Sequence, residues 1–225
     1  MEPEKVRAII TGVTGMVGEG VLHECLLSNH IAEVLVVNRR PCGITHPKLK
    51  EILHADFFDL SAIENGLKGY NACYFCLGVS SVGMPADTYY HLTYDLTLNF
   101  ALMLSRLNPD MVFCYISGAN TDSTEKGRIR RARIKGKTEN DLARLPFRSE
   151  YNFRPGALIP SKGAKNVNKY YKWFAWLVPV VKLVFPDSIN TLKQLGEAML
   201  QVTLKGYDKT IIEVRDIKIL SERYH

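Results

Sequence analysis

Thr11-Gly12-Val13-Thr14-Gly15-Met16-Val17-Gly18 follows the apolar run Val6-Arg7-Ala8-Ile9-Ile10 and precedes apolar residues at helical spacing. Strand, glycine turn and helix in that order decide the fold. The glycines allow a tight turn and close backbone approach, and the free N–H groups at a helix start attract negative charge. A nucleotide pyrophosphate needs that arrangement, so the stretch points to a dinucleotide-binding βαβ unit. Gly12, Thr14, Gly15, Met16, Val17 and Gly18 thereby become candidate cofactor contacts.

Outward from the turn, strand-like and helix-like stretches alternate along the chain. This predicts an α/β fold: a doubly wound parallel sheet of the Rossmann type, in a single domain over residues 1–225. The helix after the turn carries Val17, Val21, Leu22, Cys25 and Leu26 as one apolar stripe. Further strands are predicted at 33–37, 51–54, 72–77, 111–116, 151–153 and 210–214. Helices are predicted at 88–107, in a basic segment at 125–145, and at 191–204. Apolar residues nearly encircle the 88–107 helix, which predicts cover on a second side, as in a homodimer. Residues 160–190 hold the block Tyr170-Tyr171-Lys172-Trp173-Phe174-Ala175-Trp176-Leu177 and read as a small substrate-covering segment. Core packing or a dimer surface accounts for the same residues, with a membrane surface the weaker alternative.

A chain of 225 residues that is 46% apolar buries one sizeable core. Its longest apolar block, 173–185, is broken by Pro179 and Lys182 and falls short of the roughly 20 residues a membrane helix needs. The acidic start Met1-Glu2-Pro3-Glu4-Lys5 does not read as a secretory signal, so a soluble cytoplasmic protein is expected, without a membrane partner. Five cysteines are an odd number and suggest no disulfide framework. Cys73 and Cys76 have CxxC spacing, but on a strand they point to opposite faces and hold no metal together. The net charge of +6 favours anionic partners, which a dinucleotide or an anionic small-molecule substrate satisfies. Lys126 to Lys137 is dense in cations, yet their i, i+2 alternation spreads charge around a helix, so no nucleic-acid face is indicated.

The end of the second strand distinguishes the two dinucleotides. An acidic residue there bonds the ribose 2′-OH of NAD, whereas arginine accommodates the 2′-phosphate of NADP. Here Asn38 is followed by Arg39 and Arg40, with no neighbouring carboxylate in sequence, so NADP (NADPH) is the expected cofactor. Asp56, beside Phe57, could accept from the adenine amino group or simply shape a turn. Leu77-Gly78, at the end of the fourth strand, would let backbone pass close to the cofactor.

TGxxGxxG at 11–18, Ser117-Gly118-Ala119 after the fifth strand and Arg154-Pro155-Gly156 after the sixth together resemble the short-chain dehydrogenase/reductase superfamily. The resemblance is to its extended and atypical branches, and within them to the HIV Tat-interacting oxidoreductase-like group. It implies hydride transfer at the nicotinamide, with Pro155 and Gly156 beside the cofactor. It also implies a serine that orients the substrate carbonyl, a tyrosine that moves the proton, and a lysine four residues later that lowers the tyrosine's pKa and binds the nicotinamide ribose. Ser117 matches the serine, and Lys135, with Gly136 and Glu139 after it, matches the lysine. Where the tyrosine belongs stands Arg131, which does not release its proton near neutral pH. Three readings stay open. Tyr89, Tyr90 or Tyr115 supplies the proton, or Arg131 polarises a carbonyl electrostatically, or the chain binds NADPH as a non-catalytic regulator or scaffold. On the catalytic readings the substrate is a carbonyl, an alcohol or a sugar nucleotide, and epimerase- or dehydratase-like chemistry belongs to the same range.

Overall fold

The computed structural model describes residues 5–160 and 188–225. β1 (Val6–Thr11), β2 (Ile31–Asn38), β3 (Leu49–Leu53), β4 (Ala72–Phe75), β5 (Val112–Ile116), β6 (Ser149–Phe153) and β9 (Ile211–Ile212) form one sheet. Its order is β3-β2-β1-β4-β5-β6-β9 and every pairing is parallel. The order reverses direction between β1 and β4, the switch point where a crevice opens beyond the strand ends in such sheets. A separate pair, β7 (Ala157–Ile159) with β8 (Ile189–Thr191), also runs parallel.

Alternation along the strands divides the core into two layers. Ile9, Val37, Cys73, Phe75, Phe113 and Tyr115 face α3 (Leu96–Leu107), with Leu142 at the end of α4 (Arg130–Leu142). Ala8, Ile10, Val36, Tyr74, Cys114 and Phe153 face α1 (Met16–Leu27), α5 (Leu192–Lys205) and α6 (Val214–Arg223). Burial on both faces explains why these strands read as apolar runs rather than alternating ones. Cys73 and Cys76 pack into opposite layers, as their spacing on a strand requires.

The sequence expectations differ from the structure chiefly at element ends. The 88–107 helix starts earlier, as α2 (Ala86–Tyr90), and passes through a π turn at His91–Asp95 before α3. The basic 125–145 segment is helical only over α4, because Asp122 folds residues 122–127 into a turn. The last strand shrinks to β9, and the α6 helix after it was not anticipated. Its signal lay in Glu213 and Asp216, which make a reciprocal capping box ahead of Ile217 and Leu220. The aromatic block and the substrate-covering segment lie outside the described residues. Among the described residues no helix is long and apolar enough to cross a membrane.

Candidate functional site

The glycine turn is built from backbone. Gly12 sits at φ +73°, a conformation side chains disfavour, and a Cβ there would lie 2.7 Å from the Cys76 carbonyl oxygen. A Cβ on Gly18 would lie 2.3 Å from the Gly12 carbonyl oxygen, so helix α1 can press onto the turn only with glycine there. Gly15 occupies the N-cap of α1 and contributes no side-chain cap. The Gly15 amide closes the turn by donating to the Gly12 carbonyl at 3.0 Å, which leaves the first amides of the helix itself, Met16 and Val17, for an anionic acceptor. Thr11 leaves a buried hydroxyl oxygen without a partner at the same strand end. These residues fit a dinucleotide pyrophosphate.

One cleft, about 160 Å³, is lined by Arg39, Asp56, Phe57, Leu77 and Gly78. The structure thus gathers five of the residues proposed from sequence, drawn from the segments after β2, β3 and β4. Phe57 forms its floor, buried and stacked on Phe100 at 5.8 Å. Asp56 accepts the Phe58 amide at 2.8 Å through Oδ1, so its turn-forming role is real. A Cβ on Gly78 would meet nothing within 4 Å, so the cleft is open there. Two expectations change. Asn38 is buried, and its amide donates to Glu51 Oε1 at 2.9 Å instead of facing a phosphate. A carboxylate is in fact close by, because β3 pairs Glu51 against this strand end, where it also accepts the Cys42 amide at 2.9 Å. Arg39 and Arg40 remain exposed.

A second cleft, about 300 Å³, is lined by Tyr89, the loop Gly118–Thr121, Arg131 and Lys135. The loops after β5 and β6 run side by side here, Ser117 N donating to the Phe153 carbonyl and Ala119 N to that of Pro155. Lys135 Nζ donates to the Ser117 carbonyl oxygen at 2.6 Å and lies 5.8 Å from the Tyr115 ring. Burial pulls its pKa down to about 8, against the opposing pull of Glu139. The Ser117 hydroxyl is committed. Thr121 Oγ1 donates to the Gly118 carbonyl and accepts from Ser117 Oγ at 2.9 Å. Tyr115 is a core residue, 2% exposed, with burial raising its pKa. Tyr90 lines a different hollow with Arg130 and Lys137. Gly156 meets a structural demand, since a Cβ there would lie 2.1 Å from the Ser188 carbonyl oxygen, and Pro155 is buried.

Sequence reasoning missed the pair that anchors α4. The buried guanidinium of Arg154 donates to both oxygens of Glu139 and reaches Glu213 at 3.2 Å and Ser123 at 2.5 Å. Glu139 stands one turn after Lys135, and Gly136 between them lets the helix touch the Asp122 carbonyl, where a Cβ would clash at 1.8 Å. Arg154 and Glu139 both stand in motifs that the sequence displays, but no spacing pairs the end of β6 with α4.

A model of the NAD dependent epimerase/dehydratase family matches residues 8–134, more than half of the chain. Protein FMP52-1, mitochondrial, of Scheffersomyces stipitis is 25% identical, over 96% of this chain and 98% of its own length. Among solved structures, the ADP-L-glycero-D-manno-heptose-6-epimerase of Helicobacter pylori superposes with TM-score 0.67 at 13% identity, covering 98% of this chain and 83% of that one. Glucuronic acid dehydrogenase from Chromohalobacter salexigens gives 0.64 at 14% identity, covering 92% and 75%. The Bordetella bronchiseptica enzyme WbmF, in complex with NAD+, gives 0.66 at 11% identity, covering 100% and 78%. These structural likenesses speak to the fold, while the matched segment carries the glycine turn, both clefts' strand ends and the start of α4. The chain belongs to the NAD dependent epimerase/dehydratase family.

Proposed function

We infer that this protein is an NADPH-dependent oxidoreductase acting on a carbonyl or alcohol group of a small molecule, sugar nucleotides included. The carrying observation is the placement of Lys135, partly buried and held on the Ser117 carbonyl beside a cleft at the sheet edge that also carries the glycine turn. A lysine whose pKa is about 8 holds its proton near neutral pH and releases it readily, which suits a group that polarises a neighbouring acid. When bound, a reduced nicotinamide supplies the hydride. The chain's own residues hold the pyrophosphate at the α1 amides, seat the adenosine end over Phe57 and present Lys135 toward the ribose end. Arg39 supports NADPH over NADH, because a guanidinium in this cleft pairs with a 2′-phosphate.

A second reading, an NADPH-binding regulator without catalysis, draws support from Arg131 at the usual tyrosine position and from the committed Ser117 hydroxyl. NADPH and NADH titrations by fluorescence, with wild type and Arg39→Ala, test the cofactor half. Binding of NADPH should exceed that of NADH, and Arg39→Ala should weaken NADPH about tenfold, the scale of one charge-assisted hydrogen bond. Equal loss for both dinucleotides would defeat the NADPH assignment. Oxidation of NADPH by an aldehyde and ketone panel separates enzyme from regulator. The reading also includes a homodimer through the partly exposed apolar side of α3, where Leu102 is 40% exposed, and sedimentation measures it. We place the protein in the cytoplasm, a reducing compartment that suits its five free thiols. Fractionation of tagged cells tests this against the mitochondrial location in the yeast relative's name.

A further inference from the structure

Two side chains in the Lys135 cleft have no counterpart in the pattern that placed Ser117 and Lys135. Tyr89, on α2, is buried apart from the edge that lines this cleft. Arg131, on the first turn of α4, lines the same cleft from the other side and is exposed. Among the described residues the Arg131 guanidinium makes no hydrogen bond or ion pair. The neighbouring cations differ. Lys137 is bound to Asp141 at 2.7 Å, and Arg133 donates to the Gly127 carbonyl at 2.6 Å. Nor do the other described tyrosines near α4 compete with Tyr89. Tyr94 donates to Asp141 at 2.7 Å, Tyr90 faces the Arg130 hollow, and Tyr115 is sealed in the core.

We propose that this cleft takes a carbonyl compound bearing a carboxylate, with Arg131 binding the carboxylate and Tyr89 giving its phenolic proton to the carbonyl oxygen. This rests on the oxidoreductase reading. The displaced roles make chemical sense together. An arginine cannot act as the acid, but its planar fork is the best side chain for holding a carboxylate. Burial holds the Tyr89 pKa above the usual phenol value, while the Thr93 side chain and then the nearby Arg131 charge pull it back down, so the fixed cation eases release of the proton. A reduced nicotinamide held at the glycine turn would supply the hydride, two electrons and one hydrogen nucleus, to the carbonyl carbon, whose C=O π bond would open onto oxygen. That oxygen takes the Tyr89 proton, leaving an alcohol, oxidised nicotinamide and a phenolate. The phenolate recovers a proton from solvent, with the Lys135 ammonium stabilising it meanwhile. Tyr89 and Tyr90, adjacent on α2, line separate hollows, and the π turn that follows them is a feature frequent at functional sites.

The test uses two matched aldehydes, 4-carboxybenzaldehyde and benzaldehyde, with NADPH, and benzoate against benzamide as unreactive binding probes for the NADP+-loaded protein. Wild type should reduce the carboxylated aldehyde at least tenfold more efficiently and bind benzoate over benzamide. Arg131→Gln should erase that preference, weakening benzoate about tenfold and leaving benzamide unchanged. Tyr89→Phe should retain benzoate binding and NADPH affinity while kcat falls at least a hundredfold at similar KM. The Tyr89 signal of ring-labelled tyrosine, assigned by its loss in Tyr89→Phe, should titrate at higher pH in Arg131→Gln. Unchanged benzoate selectivity in Arg131→Gln, or full turnover in Tyr89→Phe, overturns this proposal alone. NADPH binding with neither aldehyde reduced by wild type overturns the oxidoreductase reading and the Tyr89 role with it.

Discussion

The glycine turn at 12–18 and the cleft around Lys135 lie at one edge of one sheet, yet they are made of different material. The turn is backbone: its contacts are amides and carbonyls, and its requirements are steric, a Cβ on Gly18 being only 2.3 Å from a carbonyl oxygen. The second cleft is made of side chains delivered by α2, the loop after β5 and α4, held in place by an ion pair with β6's end. A backbone site tolerates almost no change at its glycines and little else matters to it. A side-chain site can lose one group and draw its replacement from another element, as we propose for Tyr89 where Arg131 stands in the usual tyrosine position.

The largest effect should come from Gly18→Val. The clash with Gly12 moves α1 off the turn, and fluorescence titration should find NADPH binding lost by at least a hundredfold. Retained affinity would show that the turn is not the phosphate cradle. Next comes Glu139→Gln, which leaves the buried Arg154 charge without its closest carboxylate. Breaking a buried pair from one side costs about 3–5 kcal/mol, so thermal melting should show the loss, and Arg154→Met in the same chain should recover much of it. If Glu139→Gln melts like wild type, the α4 anchor is misplaced.

Glu150→Gln should act in the opposite direction. Burial raises the Glu150 pKa well above the ordinary carboxylate range, Glu139 adds to the rise, and Oε1 has no hydrogen-bond partner. The folded state therefore holds the proton more tightly than the unfolded chain. The stability tied to Glu150 is fully present below the unfolded value, near pH 4.5, and is lost as pH rises through the raised folded value. A neutral amide escapes that loss. Glu150→Gln should thus match wild type near pH 4 and exceed it by roughly 1–3 kcal/mol at pH 8, read by melting across pH. The smallest effect belongs to Glu51→Gln. The amide oxygen can still accept from Asn38 and Cys42, while a negative charge beside Arg39 disappears. NADPH affinity should rise about two- to threefold at low salt and less at high salt, with NADH unmoved.

Much of the sheet was legible because its strands are apolar runs punctuated by glycine, proline and polar turns. What was misjudged follows from pairing. β9 pairs with β6 only at Asn152 and Phe153, and β4 ends at Phe75, where its register with Thr11 and Tyr115 runs out. Asn38 reads as a phosphate neighbour because Glu51, on the next strand, reaches it only through the β2–β3 pairing. The same limitation hid the Arg154–Glu139 pair.

The sequence by itself determined the order strand, glycine turn, helix, and with it the family's dinucleotide cradle. Those constraints are local: a positive φ and a missing Cβ act between residues only a few positions apart. It also determined that Arg131 breaks the expected acid position. Only the tertiary structure decided which side chains meet: Arg39 with Asp56 and Gly78, Glu51 with Asn38, Tyr89 with Arg131 and Lys135. Those meetings depend on the register of parallel strands and the packing of α4, long-range contacts that no single stretch of chain encodes.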